Sequence, residues 1–198
     1  MVILFDCKVI AICIALYLIM AFCLRKKGLI FLGVYTLFYI YMVQVIRITQ
    51  FPIYNTEFER ELIGQVAIGN GINLIPFANT LDITSVLNVI MFIPFGTLVP
   101  LLCRRRWPVY IFLGMFFSVL LEGLQLIVAL LVGYTLRVVD VNDIIFNTLG
   151  VVIGYIIFSI MIRIIKKICK DPESLGCDRK EGVIIQIFVC VAFHLTGM

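Results

Sequence analysis

Five long apolar stretches constrain this chain more than any other feature of its sequence. They run roughly over residues 9–24, 28–46, 86–102, 107–132 and 142–165. Each is close to the ~20 residues that a helix needs to cross a hydrocarbon core about 30 Å thick. Hydrophobic residues make up 63% of the sequence, a share that a soluble domain of this size cannot hide behind a polar surface. We therefore predict an all-α fold, a polytopic membrane helical bundle of about five transmembrane helices.

The basic residues lie in alternate connections between these stretches. They occupy residues 25–27 and 104–106, and four more follow the last stretch between residues 163 and 170. Such basic connections stay on the cytoplasmic side of a membrane. The sequence therefore predicts a multi-pass plasma membrane protein with its amino terminus outside and its carboxyl terminus in the cytoplasm. This placement also accounts for the formal charge of +4 without a nucleic-acid partner.

We expect the first stretch to be retained as a helix. Its basic residues follow the apolar run, whereas a signal peptide carries them in front. Cys23 comes after the bulky Phe22, where cleavage before a lipidated cysteine would need a small residue. The other cysteines lie in the spans or near the inner face without paired spacing, which argues against a disulfide framework.

The chain is predicted to form a single transmembrane domain, residues 1–165, followed by a basic cytoplasmic tail, residues 166–198. Within the tail, the apolar residues 183–195 would form a helix of about 20 Å, which is too short to span comfortably. A capping-box pattern that begins at Thr56 predicts a short amphipathic helix over residues 56–67 on the outer surface. His194 is the only histidine, so we expect no histidine-rich zinc site and no cofactor.

Small and polar residues recur at helical spacing in the fourth and fifth stretches. In the fourth stretch they are Gly114, Ser118, Glu122, Gln125 and Ala129. In the fifth they are Asp143, Asn147, Gly150 and Gly154. The two stretches are antiparallel neighbours, so we expect the small residues to let these two backbones approach and the polar residues to hydrogen-bond between them. In the third stretch, Pro94 is expected to kink the helix.

These residues suggest a polar pocket that faces outward. Its predicted lining is Asn88, Glu122, Gln125, Arg137, Asp140, Asp143 and Asn147. Arg137 is the nearest obvious cation for Glu122 or Asp143. A purely structural network that holds the helices together stays open as an alternative. Three carboxylates and an arginine at one depth favour a functional site, because charges are costly to bury.

Some of the same side chains are also candidates for catalysis. Glu122 and Asp143 would act as general base and general acid if their environments separated their pKa values. Carboxylates at the outer face would suit a hard cation, but nothing in the sequence specifies one, and we predict no metal site.

Several short motifs together resemble the VanZ-like family. They are Asn73-Leu74-Ile75-Pro76-Phe77, Phe92-Ile93-Pro94-Phe95-Gly96, Glu122-Gly123-Leu124-Gln125 and Asn147-Thr148-Leu149-Gly150, with Asn88, Arg137, Asp140 and Asp143 between them. The resemblance covers about residues 62–159. It implies a bacterial plasma membrane protein and an association with resistance to the lipoglycopeptide teicoplanin, part of the cell envelope's response to antibiotics.

Three functions follow as expectations, in decreasing order of support. The first is a non-enzymatic factor whose outer pocket binds the polar head of a membrane lipid, a lipid-linked wall precursor or a lipoglycopeptide, with Arg137 on an anionic group. The second is a membrane-embedded enzyme that modifies a lipid or a lipid-linked wall precursor through Glu122 or Asp143. A channel or transporter is third.

Overall fold

The computed structural model describes residues 4–53, 72–77, 82–103, 105–133 and 139–170. Its long helices are α1 (Cys7–Leu24), α2 (Leu29–Gln50), α3 (Ile83–Leu102), α4 (Trp107–Val132) and α5 (Val141–Lys170), and a 3-10 turn (Arg25–Lys27) lies between the first two. All five helices are long and apolar enough to cross a membrane, α5 over Val141–Ile165. The predicted all-α bundle of five spanning helices is confirmed.

The helix boundaries have local causes. Asp6 and Asp82 precede α1 and α3, and each side chain accepts hydrogen bonds from backbone N–H groups of the first turn, which the helix itself leaves without partners. Glycines with positive φ lie before α2 and after α4, at Gly28 (95°) and Gly133 (86°), where an L side chain would be strained. The aspartates and glycines at these positions therefore account for where the helices begin and end.

The hydrophobic core lies between α2, α3, α4 and α5. Each of these helices contributes one fully buried hydrophobic side chain, and the four are Val45, Phe92, Leu121 and Val151, none more than 2% exposed. By contrast, α1 has no buried residue. It is joined to α2 by hydrogen bonds of 2.7 Å, between the hydroxyls of Tyr17 and Thr36 and from the Tyr39 hydroxyl to a backbone carbonyl of α1. The first helix is thus peripheral to the core.

The closest backbone contact in the bundle joins α3 to α5. A Cβ atom added to Gly96, Gly150 or Gly154 would collide with a backbone carbonyl oxygen of the facing helix. Glycines four residues apart allow helix backbones to approach in this way, so that van der Waals contact replaces contact with lipid. The absence of side chains at these positions therefore determines how α3 and α5 pack.

This contact corrects one prediction. The glycines of the fifth span were expected to face the fourth span, but Gly150 and Gly154 face α3. From α4, only the small residue Gly114 takes a comparable place, and it faces the side chain of Val151 rather than a backbone. The short connection between the fourth and fifth spans brings their ends together but does not determine which helix the glycine face meets.

Two prolines lie inside α3 without ending it, Pro94 and Pro100. Proline lacks a backbone N–H and leaves a carbonyl one turn earlier without its helical bond. Between the two prolines, the Thr97 hydroxyl lies within hydrogen-bond distance of two carbonyl oxygens. One belongs to Ile93 of α3, at 3.0 Å, and the other to Gly154 of α5, at 3.2 Å, so this side chain bridges the two helices. The expected kink at Pro94 stays a prediction.

A short parallel strand pair connects distant parts of the chain. Strand β1 (Ile72–Asn73) pairs with β2 (Val139–Asp140), and the register places Asn73 opposite Asp140. The segment between α2 and α3 is thereby held against the start of α5. The predicted helix over residues 56–67 and the apolar segment 183–195 lie outside the described residues. The division at residues 165 and 166 stays a prediction, although α5 itself continues to Lys170.

The α3–α5 contact predicts an unequal response of two glycines to alanine. Gly154→Ala should lower the free energy of unfolding by about 1–3 kcal/mol, the usual cost of overpacking a tight site. Gly123→Ala is the matched control, because nothing lies within 4 Å of its added Cβ; it should leave stability unchanged or raise it by up to about 1 kcal/mol. Unfolding by SDS in mixed micelles measures both, and equal effects would contradict the packing.

Candidate functional site

Asp140 organises the start of α5. One carboxylate oxygen accepts from the backbone N–H of Asn142 at 2.8 Å, the geometry of a helix N-cap. The other oxygen accepts from the side-chain amide of Asn73 at 3.1 Å, across the β1–β2 pair. Both oxygens of this carboxylate therefore hold structure in place, one at the helix terminus and one in the preceding segment.

Glu122 reaches the same point from α4. Its carboxylate accepts from the backbone N–H of Asp140 at 3.3 Å, although the residue is only 5% exposed. The backbone N–H groups at a helix start carry partial positive charge, which favours a nearby carboxylate. The placement of Glu122 next to α5, predicted from helical spacing, is therefore observed.

Asp143 joins α5 to α3. Its carboxylate accepts from the side-chain amide of Asn88 at 2.6 Å, a short distance of the kind expected when the acceptor is charged. One turn further along α5, the side-chain amide of Asn147 donates to the hydroxyl of Ser118 on α4 at 2.8 Å. The second bond joins the fourth and fifth spans, between which hydrogen bonds were predicted, whereas the first joins the third span to the fifth.

Asn147 retains an unused acceptor. The residue is 2% exposed, and its side-chain oxygen has no hydrogen-bond partner in the part of the chain that the structure describes. An unsatisfied buried polar atom costs about 1–3 kcal/mol. The site is therefore short of a donor at this position.

Sequence reasoning missed one contributor completely. Asn142 is 7% exposed, and its side-chain oxygen accepts from the backbone N–H of Phe77 at 2.8 Å. The Phe77 backbone has a φ of 58°, an uncommon conformation for a non-glycine residue that this bond supports. Asn142 was counted as the first residue of a span, and its position two residues after Asp140 gave no indication of its distant partner.

We refer to the side chains joined in this way as the polar cluster. It consists of Asn73, Asn88, Ser118, Glu122, Asp140, Asn142, Asp143 and Asn147. Each hydrogen bond of the cluster has at least one partner between residues 140 and 147. The cluster lies where α3 and α5 begin and where α4 approaches its end.

One predicted member lies elsewhere. The side-chain amide of Gln125 donates to the backbone carbonyl of Thr49 on α2 at 3.2 Å, and Gln50 donates back to the carbonyl of Leu121 at 3.2 Å. Three residues on a helix correspond to 300°, so Gln125 is about 60° away from the direction of Glu122. That angle is enough to turn it toward α2, so Gln125 does not join the hydrogen bonds at the start of α5, and its place in a ligand pocket stays a prediction.

Another predicted member, Arg137, lies outside the described residues, so its pairing with Glu122 or Asp143 stays a prediction. Among the described residues, no group of three or more His, Cys, Asp or Glu side chains is arranged to hold a metal ion. The cluster instead offers carboxylate and amide oxygens, which accept hydrogen bonds from hydroxyl and ammonium groups. The proposed use of Glu122 and Asp143 as acid and base also stays a prediction.

Fold and cluster together define a multi-pass helical membrane protein with polar side chains gathered at one end of its bundle. A family model described as VanZ/LLP1 matches residues 9–163. The chain therefore belongs to the VanZ/LLP1 family, which confirms the resemblance drawn from its motifs and extends it over the first two helices. No curated protein and no solved structure matches the chain.

The contact between Asn88 and Asp143 predicts a measurable coupling. In a double-mutant cycle with Asn88→Ala and Asp143→Ala, we expect a coupling free energy of about 1.5–3 kcal/mol, the range for hydrogen bonds to charged groups. Unfolding in mixed micelles gives the free energies. As a control, Asn88→Ala combined with Tyr17→Phe on α1 should be additive. Additivity in both cycles would show that the Asn88–Asp143 bond does not hold α3 to α5.

Proposed function

We propose that the polar cluster binds the polar head group of an amphiphile at the outer surface of the bacterial plasma membrane. The candidate ligands are a membrane lipid, a lipid-linked cell-wall precursor and a lipoglycopeptide such as teicoplanin. The supporting observation is that polar groups from α3, from α4 and from residues 72–77 converge on the start of α5.

The chemistry of the cluster suits such a head group. Carboxylates accept strong, charge-assisted hydrogen bonds. One turn after Asp143, the side-chain oxygen of Asn147 has no partner among the residues that the structure describes. Hydroxyl and ammonium groups, which are common in lipid and wall-precursor head groups, donate to acceptors of this kind. We assign Arg137 the complementary role of contacting an anionic group of the ligand.

The outward orientation rests on the distribution of charge. Basic residues occupy the connections at the opposite end of the bundle from the cluster, at residues 25–27 and near residue 105, and they recur after the last span. Basic residues at these positions favour a cytoplasmic location. The cluster would then face the compartment in which wall precursors, lipid head groups and glycopeptides meet the membrane.

This orientation predicts the location of the carboxyl terminus. A fluorescent protein fused after Met198 should fluoresce in bacterial cells, because such a fusion folds in the cytoplasm. Alkaline phosphatase fused at the same place should be inactive, because it needs the oxidising exterior. An active phosphatase fusion together with a dark fluorescent fusion would place the polar cluster on the cytoplasmic side.

A contribution to glycopeptide resistance is part of the same proposal and rests on the family. Expression of the chain in a susceptible host should raise the minimum inhibitory concentration of teicoplanin, and Asp143→Asn should return it to the empty-vector level. Asp82→Asn is the matched control, because Asp82 is an exposed helix cap outside the cluster and asparagine caps a helix equally well. Immunoblots of membranes establish equal expression.

The same strains distinguish binding from catalysis. If the cluster only binds, mass spectrometry of membrane lipids and wall precursors should give the same inventory with and without the protein. A product that accumulates with the wild type and is lost in Asp143→Asn would instead show an enzyme. If Asp143→Asn and Asp82→Asn protect as well as the wild type, the cluster has no part in resistance.

A further inference from the structure

A second feature of interest lies at the periphery, between α1 and α2. The two helices enclose a groove of about 440 Å³, within the ~300–1,000 Å³ that is usual for ligand pockets. Its lining is mainly apolar and includes the aliphatic residues Ile10 and Ile14 from α1 and Ile40 and Val43 from α2. Ile14 and Ile40 remain more than half exposed, so the groove is open toward the surrounding lipid. It shares no residue with the polar cluster.

An arginine lies at one end of this groove. Arg47, in the last turn of α2, lines it. In the described part of the chain, this guanidinium donates a hydrogen bond to the side-chain oxygen of Gln44 at 3.4 Å. It also lies 5.9 Å from the ring centroid of Phe5. Neither partner carries a charge, so among the described residues no anion neutralises Arg47, and its positive charge lies beside an apolar channel.

The length of the groove is close to the thickness of one leaflet. At its far end, Tyr17 and Thr36 line it and share a hydrogen bond, which closes the space between the helices. Thr36 and Arg47 are eleven residues apart, which is about 16 Å of helix at 1.5 Å per residue. Half of a hydrocarbon core of about 30 Å is similar. The groove therefore extends from the membrane surface to about the midplane.

We propose that this groove binds an anionic phospholipid, with one acyl chain between α1 and α2 and the phosphate on Arg47. The acyl chain matches the mainly apolar lining and the length of the channel, which is close to that of one leaflet. The phosphate matches the guanidinium, which binds such groups through paired N–H donors. Phosphatidylcholine is a weaker ligand than phosphatidylglycerol, because its own ammonium neutralises the phosphate. The site is separate from the polar cluster, so either assignment stands without the other.

The test uses the full chain reconstituted in phosphatidylcholine vesicles. A trace of phosphatidylglycerol or phosphatidylcholine that carries a spin label on its acyl chain is added to the vesicles. Electron spin resonance then measures the fraction of the labelled lipid that the protein immobilises. The wild type should prefer phosphatidylglycerol. Arg47→Gln should reduce that preference about fivefold, the factor that corresponds to ~1 kcal/mol for one basic residue near a surface.

Lys8→Gln is the charge-matched control. Lys8 is exposed, lies in the first turn of α1 at the same end of the helix pair as Arg47, and does not line the groove. Its loss should change the preference by clearly less than the loss of Arg47. An equal effect of the two variants would show general attraction to a basic surface and would overturn the assignment.

A second pair of variants tests the acyl-chain channel. Ile40→Trp fills the groove and should lower the immobilised lipid fraction and remove the preference, so that Arg47→Gln adds nothing in this background. Leu37→Trp is the control, because Leu37 lies on the same helix, is exposed and does not line the groove. An undiminished preference in Ile40→Trp would show that no chain lies between the helices.

Discussion

The close contact between α3 and α5 determines the geometry of the rest of the bundle. Each of the glycines at this contact faces a carbonyl oxygen of the opposite helix, so neither helix can slide or rotate without a steric clash. The carbonyl of Val89 faces Gly150, and the residue before it, Asn88, bonds to Asp143. The level at which the backbones touch therefore sets the level at which the polar side chains meet.

The polar cluster is compatible with a membrane because its groups satisfy one another. Unpaired polar atoms are expensive in or near lipid, and here a carboxylate or amide from one segment is matched by a donor from another. Asp140 serves both the helix start and the β1–β2 pair. The same arrangement explains why carboxylates occur at all beside spans that are otherwise apolar. Among the described residues, the side-chain oxygen of Asn147 is a buried acceptor without a partner.

Much of the fold could be predicted from the sequence because the membrane imposes length and composition on each span. The helical spacing in the fourth span also predicted a buried face, and Gly114, Ser118 and Glu122 are buried there. The contact partners were harder to predict. Periodicity shows which side of a helix carries the small and polar residues, but it does not show which neighbouring helix that side contacts. Gly150 was therefore assigned to α4, although it faces α3.

The site could also be predicted only in part, because the spacing of residues along one helix does not determine their contacts with the rest of the chain. Asn88, Glu122, Asp140, Asp143 and Asn147 do converge at the start of α5. Gln125 faces α2 instead. Asn142 could not be recognised because its partner, the backbone N–H of Phe77, comes from a segment 65 residues earlier, and no local pattern records such a pairing.

The concentration of bonding partners between residues 140 and 147 has a consequence for biogenesis. A ribosome delivers the chain in order, so α5 is the last of the described spans to enter the membrane. Until it arrives, Asn88, Ser118 and Glu122 have none of the cluster partners described for them. A nascent chain released before this point would contain four inserted helices without the hydrogen bonds that residues 140–147 supply, so the polar cluster can assemble only after α5 has been synthesised.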